Sequence, residues 1–188
     1  LRAKGGLLVV DEAFMDVGPR QHSLAGDADQ GGLVVLRSFG KFFGLAGLRL
    51  GFALSDSATV ERLEMQFGPW AVAGPALEYG IRALADIGWQ DAMRASLAEG
   101  AARLDALFGR FGVPVAGGTT LFRYISLPDA ACLFSALGER GILLRHFNDR
   151  PFVLRAGLPG SEVEWQRLES ALAEWASRRE DQSKGSKQ

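Results

Sequence analysis

The chain of 188 residues sets 21 Lys and Arg against 22 Asp and Glu, a formal net charge of −1. That balance leaves no electrostatic footprint for nucleic acid or an anionic membrane surface, and no apolar run reaches membrane-spanning length. Hydrophobic residues at 47% and 24 glycines suit an α/β protein with a sizeable core and many tight turns. The single Cys132 gives no disulfide framework and reads as a small buried residue in a reducing cytoplasm.

In chain order, Leu7–Val10 and Leu33–Leu36 are continuous apolar runs of the kind found in parallel strands covered on both faces. The stretch between them, residues 15–32, is rich in Gly, Asp, Gln and Ser and reads as a loop with room for a short helix. A third strand, Leu50–Leu54, is stopped by Ser55-Asp56-Ser57, where Asp56 or Ser57 caps a short helix over residues 59–65. Gly68-Pro69-Trp70 breaks that helix, and Pro75 suits the first turn of the next, whose Leu77, Ile81, Leu84 and Ala85 keep helical spacing. From Trp89 to Phe111 a further helix aligns Met93, Leu97, Ala101, Leu104 and Phe108, and Gly112 closes it as a C-terminal cap.

A second unit then begins. Val113–Val115, Leu121–Leu127, Ile142–Phe147 and Phe152–Ala156 read as strands, with a helix from Asp129 to about Arg140 among them. Ser161-Glu-Val-Glu164 is a capping-box pattern opening the last helix, whose Trp165, Leu168, Leu172 and Trp175 form one stripe. The change in pattern near Gly88 predicts one unit over residues 1–88, then a small α+β domain over 89–177 and a disordered tail over 178–188.

Chemistry concentrates in two places. Ser38-Phe-Gly-Lys41 follows one apolar strand, with Arg49 shortly after, and Asp11-Glu12 ends another strand. A carboxylate, a hydroxyl, an amine and a guanidinium in that order suit pyridoxal 5'-phosphate (PLP). Its aldehyde takes a lysine as a Schiff base, its ring nitrogen an acidic partner, and its phosphate a hydroxyl and an arginine. Lys41 is flanked by Phe42 and Phe43, an apolar context that argues against a solvated surface lysine. Glu12 is the weaker acidic candidate, because adjacent residues on a strand point to opposite faces. His22 and His146 lack metal-ligand spacing, and no metal-site pattern is present.

Asp11-x-Ala13-Phe14, Ser38-x-x-Lys41 and Gly47-Leu48-Arg49-Leu50-Gly51 together resemble the core of the fold-type I PLP enzymes, within the class I/II aminotransferase group. Leu36-Arg-Ser-Phe-Gly-Lys41 and Leu154-Arg155-Ala-Gly-Leu-Pro-Gly160 bring the likeness nearest to threonine-phosphate decarboxylases, with histidinol-phosphate aminotransferases the alternative. The resemblance implies that residues 1–88 are the C-terminal part of a large PLP-binding domain of the PLP-transferase type, with a mostly parallel sheet, followed by a small α+β domain. It implies Lys41 as the catalytic amine, with Asp11, Phe14, Ser38 and Arg49 on the cofactor. Arg155 would hold the substrate carboxylate and Arg145 a second anionic group such as a phosphate. Phe14 stands where many aminotransferases of the group have a tyrosine, which points to the decarboxylase branch. A phosphorylated amino-acid substrate, a homodimer and a cytoplasmic location follow from the same likeness. Starting at Leu1, the chain lacks the N-terminal part that such enzymes carry before the aspartate strand, so it reads as the C-terminal portion of a longer enzyme, and an inactive fragment as given is a further alternative.

Overall fold

The computed structural model describes residues 5–185, with side chains to residue 179. It divides between Ala92 and Met93 into two compact units. The division falls within one helix rather than at Gly88, where the change in pattern suggested it.

The first unit is built on a sheet of β1 (Leu8–Asp11), β2 (Leu33–Ser38) and β3 (Gly51–Leu54), in the order β1-β2-β3. β1 runs parallel to β2, and β3 antiparallel to it. The connection from β1 to β2 makes three 3-10 turns, and the last (Ala25–Gln30) sets Ala28 against Leu33 and Val35. β1 departs from the expectation of a strand covered on both faces: Leu8 and Val9 are 40% and 55% exposed. It is an edge strand here, and the covering turn reaches β2 instead.

Asp56 is the cap of α1 (Ser57–Phe67): its Oδ1 accepts the Thr59 N–H at 3.1 Å. Hydrogen bonds from the Thr59 backbone and hydroxyl hold that carboxyl below its ordinary range. α2 (Gly74–Ala85) packs through its small residues, Ala76 and Gly80, while Leu77 and Ile81 of the apolar stripe remain exposed. A Cβ built on Gly80 would lie 2.6 Å from Leu50 Cδ2, so any larger residue here requires the buried Leu50 side chain to shift.

α3 (Ile87–Arg110) ends as its sequence predicts, with Gly112 at φ +66° and the Val113 N–H donating to the Phe108 carbonyl at 2.9 Å. In the second unit β4 (Val115–Thr119), β5 (Phe122–Ser126), β6 (Arg145–His146) and β7 (Val153–Gly157) form an antiparallel sheet in the order β4-β5-β7-β6. α4 (Ala130–Gly138) and α5 (Glu162–Gly185) complete a core in which Leu104, Phe108, Ile125, Leu133, Leu154 and Leu172 are fully enclosed.

Cys132 is exposed, contrary to its apolar surroundings in sequence. α4 turns Ala130, Leu133 and Leu137 inward, and helical spacing carries Cys132 to the other side. α5 is longer than expected, running through residues 178–185 that composition alone assigned to a disordered tail; the last three residues lie outside the described part. Its start is the predicted capping box. Glu164 N–H donates to Ser161 Oγ at 3.3 Å, and the Glu164 carboxylate accepts the N–H groups of Gly160 and Ser161 at 2.7 and 3.0 Å. These backbone donors hold the Glu164 carboxyl below its ordinary value.

Candidate active site

The register of the first sheet sorts the candidate residues. Asp11 pairs with Leu36, and Ser38 follows two residues along β2, so Asp11 and Ser38 share one face at the same end of neighbouring strands. Glu12 and Arg37 alternate to the opposite face. Asp11 is exposed, and one carboxylate oxygen accepts the Ala13 N–H at 2.9 Å.

The segment from Ser38 to Arg49 is a closed loop. Phe39 N–H donates to the Leu50 carbonyl at 3.2 Å and Leu45 N–H to the Phe39 carbonyl at 3.0 Å, while Ser38 Oγ accepts from Gly40 N–H at 3.1 Å. Gly40 packs so tightly that a Cβ there would lie 3.3 Å from Ala46 Cα. Buried aromatics anchor the loop: Phe39 stacks on Phe43 at 4.5 Å, and Phe42 meets Trp89 at 5.4 Å. Lys41 itself is exposed, although its neighbours are buried. The turn buries Phe42 and Phe43 and leaves the lysine outward, with Nζ 5.4 Å from the Phe14 ring centroid. Arg49 adopts a left-handed backbone at φ +53° and donates to the Ala46 carbonyl at 3.3 Å. A mostly apolar cavity of about 220 Å³ opens beside Ser38 and Phe43 but is not lined by Lys41, Asp11 or Arg49.

Arg145 and Arg155 belong to the second unit, where β6 and β7 set them directly opposite each other. Neither makes an ion pair among the described residues. Instead the Arg155 guanidinium lies 5.0 Å from the Phe122 ring centroid and that of Arg145 5.9 Å from Phe147. Arg145 also lines a cavity of about 590 Å³ with Phe134, Phe147 and Asn148. On its other side Arg155 pairs with Tyr124, whose hydroxyl accepts from Arg150 at 3.1 Å. Tyr124 and Arg150 went unnoticed in the sequence, because alternation gives the face of a residue but not its partner on the next strand. Among the described residues no cluster of His, Cys, Asp and Glu is arranged to hold a metal ion, and no helix is long and apolar enough to cross a membrane.

The profile of the family Aminotransferase class I and II matches residues 1–175. The chain belongs to that family. It is 49% identical over 172 residues to the threonine-phosphate decarboxylase of Pseudomonas aeruginosa, covering 92% of this chain and 51% of that protein. A threonine-phosphate decarboxylase of Sinorhizobium sp. is 47% identical over 173 residues, again covering 92% and 51%. The chain therefore spans about half the length of the curated relatives it matches. Its fold is similar to part of the histidinol-phosphate aminotransferase of Sinorhizobium meliloti, solved with pyridoxal-5'-phosphate. The TM-score is 0.79 at 24% identity, over 92% of this chain and 49% of that one.

Proposed function

We propose that this chain is the lysine-bearing portion of a PLP-dependent carboxy-lyase. It would convert L-threonine O-3-phosphate to (R)-1-amino-2-propanol O-2-phosphate, a step of cobalamin biosynthesis. The donor set suits the cofactor: a carboxylate and a hydroxyl on one sheet face, and an amine and a guanidinium on the closed loop after it. PLP bound there supplies an electron sink for the pair released when a bond to the substrate α-carbon breaks.

Each residue then has a defined task. Lys41 Nζ would hold the cofactor through its aldehyde carbon until the substrate amine displaces it. Asp11 keeps the proton on the ring nitrogen, and Ser38 Oγ with the Arg49 guanidinium holds the phosphate. Phe14 offers a ring face to Lys41 and no hydroxyl to the cofactor's phenolic oxygen. Arg155 grips the substrate carboxylate and Arg145 its phosphate. With the substrate amine in its place on the cofactor, the freed Lys41 amine would be positioned to give a proton to the α-carbon as carbon dioxide departs.

The observation that carries the substrate class is the opposition of Arg145 and Arg155. Two like charges face each other and neither forms an ion pair among the described residues, which suits a ligand with two anionic groups. Threonine phosphate has a carboxylate and a phosphate, whereas histidinol phosphate has only the phosphate. The full-length protein, given PLP and threonine phosphate, is expected to release CO2 and aminopropanol phosphate. Amino transfer from histidinol phosphate to a keto acid without CO2 release would move it to the aminotransferase branch. A homodimer is part of the same proposal and is checked by sedimentation.

A further inference from the structure

Among the described residues Glu12 is the only buried ionisable side chain, at 3% exposure, and no step of the proposed reaction uses it. It accepts hydrogen bonds from Ser23 Oγ at 2.6 Å, from Leu24 N–H at 2.7 Å and from Arg37 at 3.4 Å. Arg37 also pairs with Asp16. Glu12 is the residue after Asp11, and Arg37 is the residue before Ser38. The network therefore sits on the back of the sheet, directly behind the carboxylate and the hydroxyl proposed to hold the cofactor, and it joins the ends of the two strands that carry them.

A buried carboxylate paired with a half-buried arginine is a costly way to fill space. Apolar residues of similar volume commonly give equal or greater stability. What an ion pair adds is a fixed geometry, because the hydrogen bonds hold only at one separation. We infer that Glu12 and Arg37 are positioning residues, which set the spacing between Asp11 and Ser38 for a ligand that contacts both. The inference rests on the PLP reading of the site and deepens it.

Three variants of the full-length protein test this: Glu12→Gln, Arg37→Met and the apolar double variant Glu12→Leu/Arg37→Met. Each is measured for PLP dissociation constant, from the visible band of lysine-bound PLP, and separately for unfolding midpoint in urea. The single variants are expected to weaken PLP binding by about 10- to 100-fold, the range that outer partners of a bound group carry. The double variant also removes the acceptor of Ser23 Oγ and of the Leu24 N–H, so it is expected to unfold at lower urea than the parent while keeping the weakened binding. Parental PLP binding in the double variant would overturn the inference and leave Glu12 and Arg37 as packing residues. A double variant that does not fold overturns it as well, because the network then maintains the fold itself. If the parent protein binds no PLP, the site reading fails and this inference with it, an outcome distinct from the other two.

Discussion

Arg145 and Arg155 face each other across β6 and β7 as direct cross-strand partners, two guanidinium groups on one face of an antiparallel pair. Like charges so placed destabilise a sheet by about 0.2–1 kcal/mol. Arg145→Met should therefore raise the urea stability of the protein by that order in anion-free buffer. The same variant should raise KM for threonine phosphate about 10- to 100-fold, as expected for a lost hydrogen bond to a charged group. Phosphate in the buffer should stabilise the parent and leave the variant unmoved. Unfolding curves with and without phosphate, beside substrate saturation curves, check all three.

Lys41→Ala separates chemistry from folding. Because the lysine is exposed on a loop anchored by Phe39, Phe42 and Phe43, its removal should change stability by no more than about 0.5 kcal/mol. Turnover and the visible band of lysine-bound PLP should both disappear in the full-length protein. A band that survives the substitution would move the site away from this lysine.

Two glycine-to-alanine changes in helices should have opposite signs. At Gly80 the new methyl would fall 2.6 Å from Leu50 Cδ2, so overpacking should cost about 1–3 kcal/mol. At Gly109 a Cβ meets nothing within 4 Å, so the gain in helix propensity should stabilise by about 0.5–1 kcal/mol. Urea midpoints of the two variants, compared with the parent, give the signs directly.

The capping box of α5 should make the second unit sensitive to acid. Backbone donors from Gly160 and Ser161 lower the Glu164 carboxyl from its ordinary 4.5, and the Arg103 pair does the same for Glu162. A lowered carboxylate adds stability above its unfolded value and loses it as pH falls through the folded one. Stability should therefore decline as pH drops below about 4.5. Glu164→Gln keeps the hydrogen-bonding pattern without the charge, so its decline should be shallower. Circular dichroism melts from pH 7 down to pH 3 measure the slope.

Much of the local chemistry was legible in the sequence, because it depends on near neighbours along the chain. The Ser161–Glu164 box and the Gly112 cap are fixed by residue type and spacing over one helical turn, and both form as written. The order of Asp11, Ser38, Lys41 and Arg49 likewise announced a family before any fold was known. The boundaries of the longer elements were less legible. Residues 178–185 are polar in composition yet continue α5, whose inward residues Leu168, Leu172 and Trp175 anchor the turns before them.

By itself, then, the sequence determined which groups this protein carries, the order of most of its strands and helices, and which family it belongs to. Only the tertiary structure decided their partners. Strand register set Arg145 against Arg155 and brought Asp11 to the same face as Ser38. Packing buried Glu12 behind that face, turned Cys132 outward and drew α2 in through Ala76 and Gly80 rather than its larger apolar residues. The physical reason is one of range. Alternation and helical spacing give each side chain a direction relative to its own backbone, but what lies in that direction depends on residues far away in the chain.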